Sequence, residues 1–292
     1  MDNTHSTDLI VPVNIGIIGY GFVGQAVANG FNVASGGKDK ILFYDKFKDS
    51  TPIDEVVEKS EFIFICLPTP MKADETGIDL SIIHDMMPEI AGLTKNTDKI
   101  IIIKSTITPG TTAGFEEKFP HTHFCFNPEF LKESSFLEDF INADRTVIGA
   151  NNNLVSRRVA VVYKQRFPKT TIFQTDPTTA ETVKYFANAF LSTKVTFANL
   201  FYDYCQKMGI KYEEVKEMAA ADPRIVDAHL DVTTQRGFGG KCFPKDLVAL
   251  LGEFKKADVD SSMLESMWKY NKKIRKVHDW EEIPFAVSKP KL

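Results

Sequence analysis

Cysteine is scarce in this chain and has no pattern. Four occur, at Cys66, Cys125, Cys205 and Cys242, and none falls in a C-x-x-C spacing. That excludes a disulfide framework and points to thiols in a reducing compartment. None of the six histidines has metal-ligand spacing, so no metal is expected. No apolar run approaches the roughly 20 residues of a membrane span. Met1 to Pro12 has neither the basic start nor the apolar stretch of a secretory signal. A cytoplasmic protein without a membrane partner is therefore expected. Charge of one sign is missing too: 35 Lys+Arg against 39 Asp+Glu leave −4, which implies no nucleic-acid partner. No internal repeat or low-complexity segment is visible. What remains is 292 residues, 43% hydrophobic and 25% charged, enough for about two globular domains.

The first half alternates apolar β-prone runs with helical segments. Runs at 13–18, 41–44, 62–65, 100–103, 124–126 and 146–148 read as strands, and 25–31 reads as a helix. This predicts an α/β fold with a doubly wound parallel sheet, whose ligands bind beyond the carboxyl ends of its strands. After about Pro177 the texture becomes helical. Asp176 can cap a helix that starts at Pro177 and runs to Met208, with Gly209 as its stop. Its length of roughly 45 Å is too long for one small domain. It is expected to link two domains or to cross a dimer partner. Shorter helices are predicted over 212–221, 247–256 and 261–277, and Asp279 to Leu292 reads as a tail. The predicted organisation is a dinucleotide-binding domain over 1–175 and a long helix with a smaller all-helical domain over 176–292.

Gly19-Tyr20-Gly21-Phe22-Val23-Gly24 follows the first strand and opens a helix. Glycines there permit a tight turn and close approach of a pyrophosphate to the helix start. Asp45, ending the second strand, is suited to ribose hydroxyls, which favours NAD. Near the other end stands Gly237-Phe238-Gly239-Gly240-Lys241-Cys242-Phe243-Pro244-Lys245-Asp246. It places Cys242 after a glycine loop and before a helix that Pro244 can start. The helix dipole and two lysines favour a nucleophilic thiolate, although a lone cysteine is also an ordinary small apolar residue. Lys184 and Asn188 share one face of the long helix. Lys184 either snorkels to solvent or, buried, stabilises an oxyanion. Glu129 and Glu133 suit acid–base work or a solvated loop equally. Arg224 reads as a surface cation or a substrate clamp.

Together these segments resemble the nucleotide-sugar 6-dehydrogenases, the family of UDP-glucose and GDP-mannose dehydrogenase. The likeness runs from Asn14 to about Asn271. It rests on GYGFVG at 19–24, CLPTP at 66–70, KST at 104–106, NPEFLKE at 127–133, AETVKYFAN at 180–188, DPRI at 222–225 and GFGGKCFPKD at 237–246. The resemblance implies oxidation of a sugar C6 alcohol to the carboxylate with two NAD per sugar. On that model Cys242 carries a thiohemiacetal and then a thioester. Lys184 and Asp246 hold and activate water, and Asn188 is an oxyanion donor. Glu129, Phe130, Leu131, Lys132 and Glu133 form the substrate loop, with Glu133 also near the nicotinamide. Thr69, Thr106 and Lys245 face the cofactor, Thr106 counting with the catalytic set as well. Arg224 matches an arginine that reaches a neighbouring subunit's sugar, and Phe238 and Gly239 match the substrate-contacting glycine loop.

The family usually carries a third domain that clamps the nucleotide diphosphate, and this sequence stops where that domain would begin. A second chain could supply it, the substrate could be smaller, or the first two domains could bind the sugar nucleotide weakly. The segment between Asp45 and Phe62 is also short. The resulting expectation is an NAD-dependent homodimer acting on a nucleotide sugar, UDP-glucose first, giving UDP-glucuronate. The alternatives are a two-electron β-hydroxyacid dehydrogenase and a non-catalytic NAD-binding partner subunit.

Overall fold

A computed structural model describes residues 10–288. The described chain divides into two compact units. One holds the residues up to Thr69 together with Leu80–Lys184, and the other holds Pro70–Asp79 together with the residues from Tyr185 on.

The first unit is a seven-stranded sheet of β1 (Asn14–Ile18), β2 (Lys40–Tyr44), β3 (Phe62–Ile65), β4 (Ile100–Ile103), β5 (His123–Phe126), β6 (Arg145–Gly149) and β7 (Thr171–Thr175). Between the strands lie α1 (Phe22–Ala34), α2 (Ile53–Lys59), α3 (Ser81–Thr94), α4 (Thr111–Lys118), α5 (Phe136–Ile141) and α6 (Asn153–Arg166). The strand order is β2-β1-β3-β4-β5-β6-β7. The central strands are apolar on both faces because helices cover both. Phe62 and Phe64 enter one core with Phe31 of α1, while Ile63 and Ile65 enter the other with Ile83 and Met87 of α3. The doubly wound reading holds, with one departure: β6 runs antiparallel to β5, and β7 follows β6 in parallel. The chain between β5 and β6 carries only the six-residue α5. Its Phe140 sits on α1 where Gly30 leaves room, a Cβ there meeting the ring at 2.2 Å. No full crossover helix returns the chain to a parallel start.

A buried ion pair ties this unit together. Arg166 at the end of α6 donates from Nε to Asp39 Oδ2 at 2.6 Å, and Asp39 in turn accepts from the Val13 amide at 3.0 Å.

Helix α7 (Pro177–Met208) has the predicted bounds. Asp176 accepts from the Thr179 amide at 2.9 Å, and Gly209 stops the helix with φ +68°. The second unit adds α8 (Tyr212–Ala220), α9 (Phe243–Lys256) and α10 (Ser262–Ile274). Pro70–Asp79 joins it through Glu75, which accepts from Trp268 Nε1 at 2.9 Å and from Lys272 Nζ at 2.7 Å. The expected tail is a correction. Asp279–Glu281 forms a 3-10 turn, Trp280 is buried beside Trp268, and Val287 bridges to Met71. Aromatic burial fixes this segment, and the short apolar spacing in the sequence gave no periodic sign of it. Residues 289–292 of the expected tail lie outside the described residues, as do residues 1–9 of the amino-terminal stretch.

Candidate functional site

In the first unit the polar motifs stand at the carboxyl ends of β1 to β5. Gly19 turns the chain with φ +93°, and a Cβ there would meet the Cys66 carbonyl oxygen at 2.7 Å. A Cβ on Gly24 would meet the Gly19 oxygen at 2.2 Å. Gly21 differs: nothing lies within 4 Å of its Cβ position, and no side chain caps α1. The start of α1 is thus a cradle of open amides suited to a pyrophosphate, flanked by Tyr20, Phe22 and Val23. Asp45 Oδ2 accepts from the Tyr20 amide at 2.8 Å and Oδ1 from the Phe47 amide at 2.9 Å. A carboxylate has about four lone-pair sites, so Asp45 can hold this loop and still accept ribose hydroxyls. Thr69 is buried and Thr106 half-buried beyond the ends of β3 and β4.

Behind these loops lies a buried polar cluster. Lys184 of α7 donates to Glu129 Oε1 at 2.8 Å and to the Glu129 carbonyl at 2.6 Å, with both side chains almost fully buried. Glu129 Oε2 also accepts from the Leu131 amide at 2.7 Å. Snorkelling is therefore not what Lys184 does. Phe130 lies 5.7 Å from Lys184 Nζ and 4.3 Å from the Arg145 guanidinium, while Lys132 and Glu133 are exposed.

Sequence reasoning passed over Lys104. The sequence gives it no role beyond its place in the KST motif at 104–106. It is buried and donates to Asn127 Oδ1 at 2.9 Å, an oxygen that also accepts from Tyr163 at 2.5 Å. Burial lowers its pKa from 10.5 to about 8, against partial compensation from Cys66 and Glu129. The folded chain gives up this proton near pH 8, while the unfolded chain holds it to about 10.5. Unfolding therefore takes up a proton in that window, and the contribution of Lys104 to stability rises with pH across it. Relative to Lys104→Met, the native chain should gain about 3 kcal/mol between pH 7.5 and 10.5 in urea unfolding. A constant difference across that range would reject a buried, charged Lys104.

In the second unit Cys242 is the N-cap residue of α9, with Pro244 in the first turn. Its carbonyl accepts from the Asp246 amide at 2.9 Å. Asp246 is fully buried. One oxygen is ion-paired with Lys245 and the other accepts from Asn188 Nδ2 at 2.6 Å. Lys245 is thus held by a carboxylate. The ring of Phe238 is buried against Phe243 and Trp268, and its amide and carbonyl are both paired with the Asn271 side chain. Arg224 is exposed and paired with Asp222 at 2.5 Å, so within this chain it is a surface cation. Of the other cysteines, Cys66 and Cys125 are buried with thiols pushed up to about 12 by burial, and Cys205 is buried. Cys242 is the most exposed of the four. Among the described residues no group of His, Cys, Asp and Glu is placed to hold a metal ion. No described helix is long and apolar enough to cross a membrane.

Comparison with known proteins places the chain. The NAD binding domain model of the UDP-glucose/GDP-mannose dehydrogenase family matches residues 38–167, and the same family's central domain model matches 178–273. The chain belongs to the UDP-glucose/GDP-mannose dehydrogenase family. A UDP-glucose 6-dehydrogenase of Rickettsia bellii is 35% identical over 238 residues, 79% of this chain and 54% of that protein. The chain spans about half the length of the curated relatives it matches. A UDP-glucose dehydrogenase from Pyrobaculum islandicum superposes with a TM-score of 0.80 at 25% identity, covering 90% of this chain and 69% of that one. A 3-hydroxyisobutyrate dehydrogenase of Mycobacterium tuberculosis shares the fold, with a TM-score of 0.71 at 13% identity over 90% of this chain and 94% of that one. The cofactor of the family's first domain is NAD. The glycine cradle lies just ahead of the matched span and fits that cofactor. Cys242, Lys184, Asn188 and Asp246 all fall in the central-domain match.

Proposed function

We propose that the chain oxidises the C6 alcohol of a nucleotide sugar to the carboxylate through a covalent intermediate on Cys242, with UDP-glucose as first substrate and UDP-glucuronate as product. The observation that carries this reading is the thiol at the start of α9, one turn from a buried Asp246 fixed by Asn188 and Lys245. A simple alcohol oxidation has no use for a nucleophile, whereas a thiolate divides a four-electron change into two accessible steps. The Gly19–Gly24 loop and Asp45 would hold NAD, which when bound would supply a hydride acceptor for each oxidation, the C6 hydroxyl proton of the first passing to water. The chain's own residues do the rest. The Cys242 sulfur adds to the aldehyde carbon, the carbonyl electron pair moves to oxygen, and Asn188 donates to that oxygen. At the acid level Asp246 takes a proton from water, whose oxygen bonds to the acyl carbon as the thiolate leaves. Lys184 offsets negative charge developing on the sugar oxygen, and the Glu129–Glu133 loop with Thr106 orients the sugar and cofactor. Phe238 and Gly239 belong to the substrate side of the reading. Thr69 and Lys245 belong to the cofactor side of the reading, and Arg224 to a neighbouring subunit's site.

The test is the number of NADH formed per UDP-glucose consumed. Two supports this reading. One per sugar, with no effect of alkylating Cys242, would favour the two-electron alternative instead, and tight NAD binding without turnover on any nucleotide sugar would favour the binding subunit.

A homodimer through α7 belongs to the same proposal. Phe186, Phe190, Phe197, Phe201, Tyr204 and Met208 recur at helical spacing and are all exposed. A contiguous apolar stripe of this kind marks an interface. Phe197→Glu should convert the dimer to monomer in light scattering at micromolar concentration. A monomeric native chain, or a dimer that this substitution leaves intact, would remove α7 as the interface.

A further inference from the structure

The loop that leads into Cys242 is held by side chains. Three of its amides donate to them. Gly237 N donates to Asn199 Oδ1 at 3.1 Å, Phe238 N to Asn271 Oδ1 at 2.7 Å, and Gly240 N to both oxygens of Asp279 at 3.1 and 3.2 Å. Asn271 also donates from Nδ2 to the Phe238 carbonyl at 3.0 Å, pairing with that residue as a neighbouring strand would. Arg275 closes the arrangement. It donates to the Arg236 carbonyl at 2.9 Å and is ion-paired to Asp279 at 2.9 Å.

The approach is close enough to require the glycines. A Cβ on Gly237, whose φ is +50°, would meet Asn271 Oδ1 at 2.3 Å. A Cβ on Gly239 would meet Arg275 Nη2 at 2.2 Å and Asp279 Oδ1 at 2.3 Å. These glycines therefore make room for the clamp as well as supplying flexibility. Asn271 is completely buried, and the aromatic floor of Phe238, Trp268 and Trp280 lies under the same loop. Glycine-rich chain is otherwise floppy, and ordering it costs about 1–2 kcal/mol per residue in conformational entropy. Charge-assisted and fully buried hydrogen bonds are the kind that can offset such a cost.

We propose that Asn271 and the Arg275–Asp279 ion pair are positioning residues for the nucleophile: they fix Gly237–Gly240 and thereby hold Cys242 at the start of α9. The proposal rests on the reading of Cys242 as the reacting thiol. It assigns a task to Asp279, in a stretch whose sequence reads as a tail. Nothing in the segment touches substrate or cofactor by this account. It acts only through the loop, keeping the sulfur at the positive end of the helix, where the thiolate form is favoured.

The test needs no turnover, so its failure is separable from failure of the functional reading. The full chain is treated with iodoacetamide at neutral pH, and the modification rate of each cysteine-containing peptide is followed by mass spectrometry. Cys125 and Cys205, both buried, report on unfolding in the same sample. Asp279→Ala should slow Cys242 alkylation by about tenfold while Cys125 and Cys205 stay protected. Asp279→Asn keeps an acceptor for the Gly240 amide and should restore most of the rate. If Asp279→Ala unfolds and exposes Cys125, the comparison passes to Asn271→Asp, which is expected to slow the reaction a few-fold. A native rate at Cys242 in folded Asp279→Ala or Asn271→Asp would overturn the proposal. So would an equal loss in Asp279→Asn and Asp279→Ala, because a generic packing defect is not rescued by a conserved acceptor.

Discussion

Cys242→Ser should lower steady-state formation of the carboxylate by about 10³-fold or more, while NAD binding in the first unit is unchanged. A serine hydroxyl at the start of α9 lacks the thiolate's nucleophilicity near neutral pH. What survives should be the first oxidation, so aldehyde or its hydrate should accumulate with about one NADH per sugar. Chromatography of the sugar products checks this directly. Full turnover to the acid by the serine variant would mean that Cys242 is a structural residue. The remaining cysteines give no substitute, since Cys66 and Cys125 are enclosed and their thiols stay protonated near neutral pH.

The second large effect is on stability as well as on rate. Lys184→Ala takes from the buried Glu129 its ion-pair partner and leaves it the Leu131 amide and the nearby charge of Lys104. Breaking one side of a buried pair costs about 3–5 kcal/mol, because the remaining charge has lost its partner. The urea midpoint should fall accordingly with little change in slope. The double variant Lys184→Met with Glu129→Gln removes both charges and should recover most of the stability. It should not recover turnover. That split separates the pair's structural role from its proposed chemistry. Recovery of both would show the lysine to be a packing residue alone.

Much of this was legible in the sequence because it follows from period and punctuation. The runs at 62–65 and 100–103 are apolar at every position, as strands covered on both faces must be. Helix α7 carried both of its signals, a capping aspartate and a terminal glycine, and its bounds came out as read. Strand β7 was missed because it is an edge. Thr171–Thr175 has no buried face, Phe173 is exposed, and the strand pairs with β6 alone. No hydrophobic alternation marks such a strand. Lys104 was missed for a different reason. Its burial depends on Asn127 and Tyr163, 23 and 59 residues away, and local pattern carries no trace of such partners. Asp279 is the same case: its partners lie in the glycine loop, 39 residues earlier. The candidate site residues were visible as motifs, and the side chains they meet were visible only once the chain was folded.

The most direct test concerns the sulfur itself. Asp246→Asn should leave the Cys242 carbon–sulfur bond formed while slowing its hydrolysis, since the group that takes water's proton has gone. The variant would be mixed with NAD and UDP-glucose and quenched in acid over seconds to minutes. The peptide carrying Cys242 would then be weighed. The account predicts a sugar-acyl adduct on Cys242 that grows and then decays, and that chases to UDP-glucuronate. UDP-glucuronate formed while Cys242 stays unmodified at every quench time would contradict it.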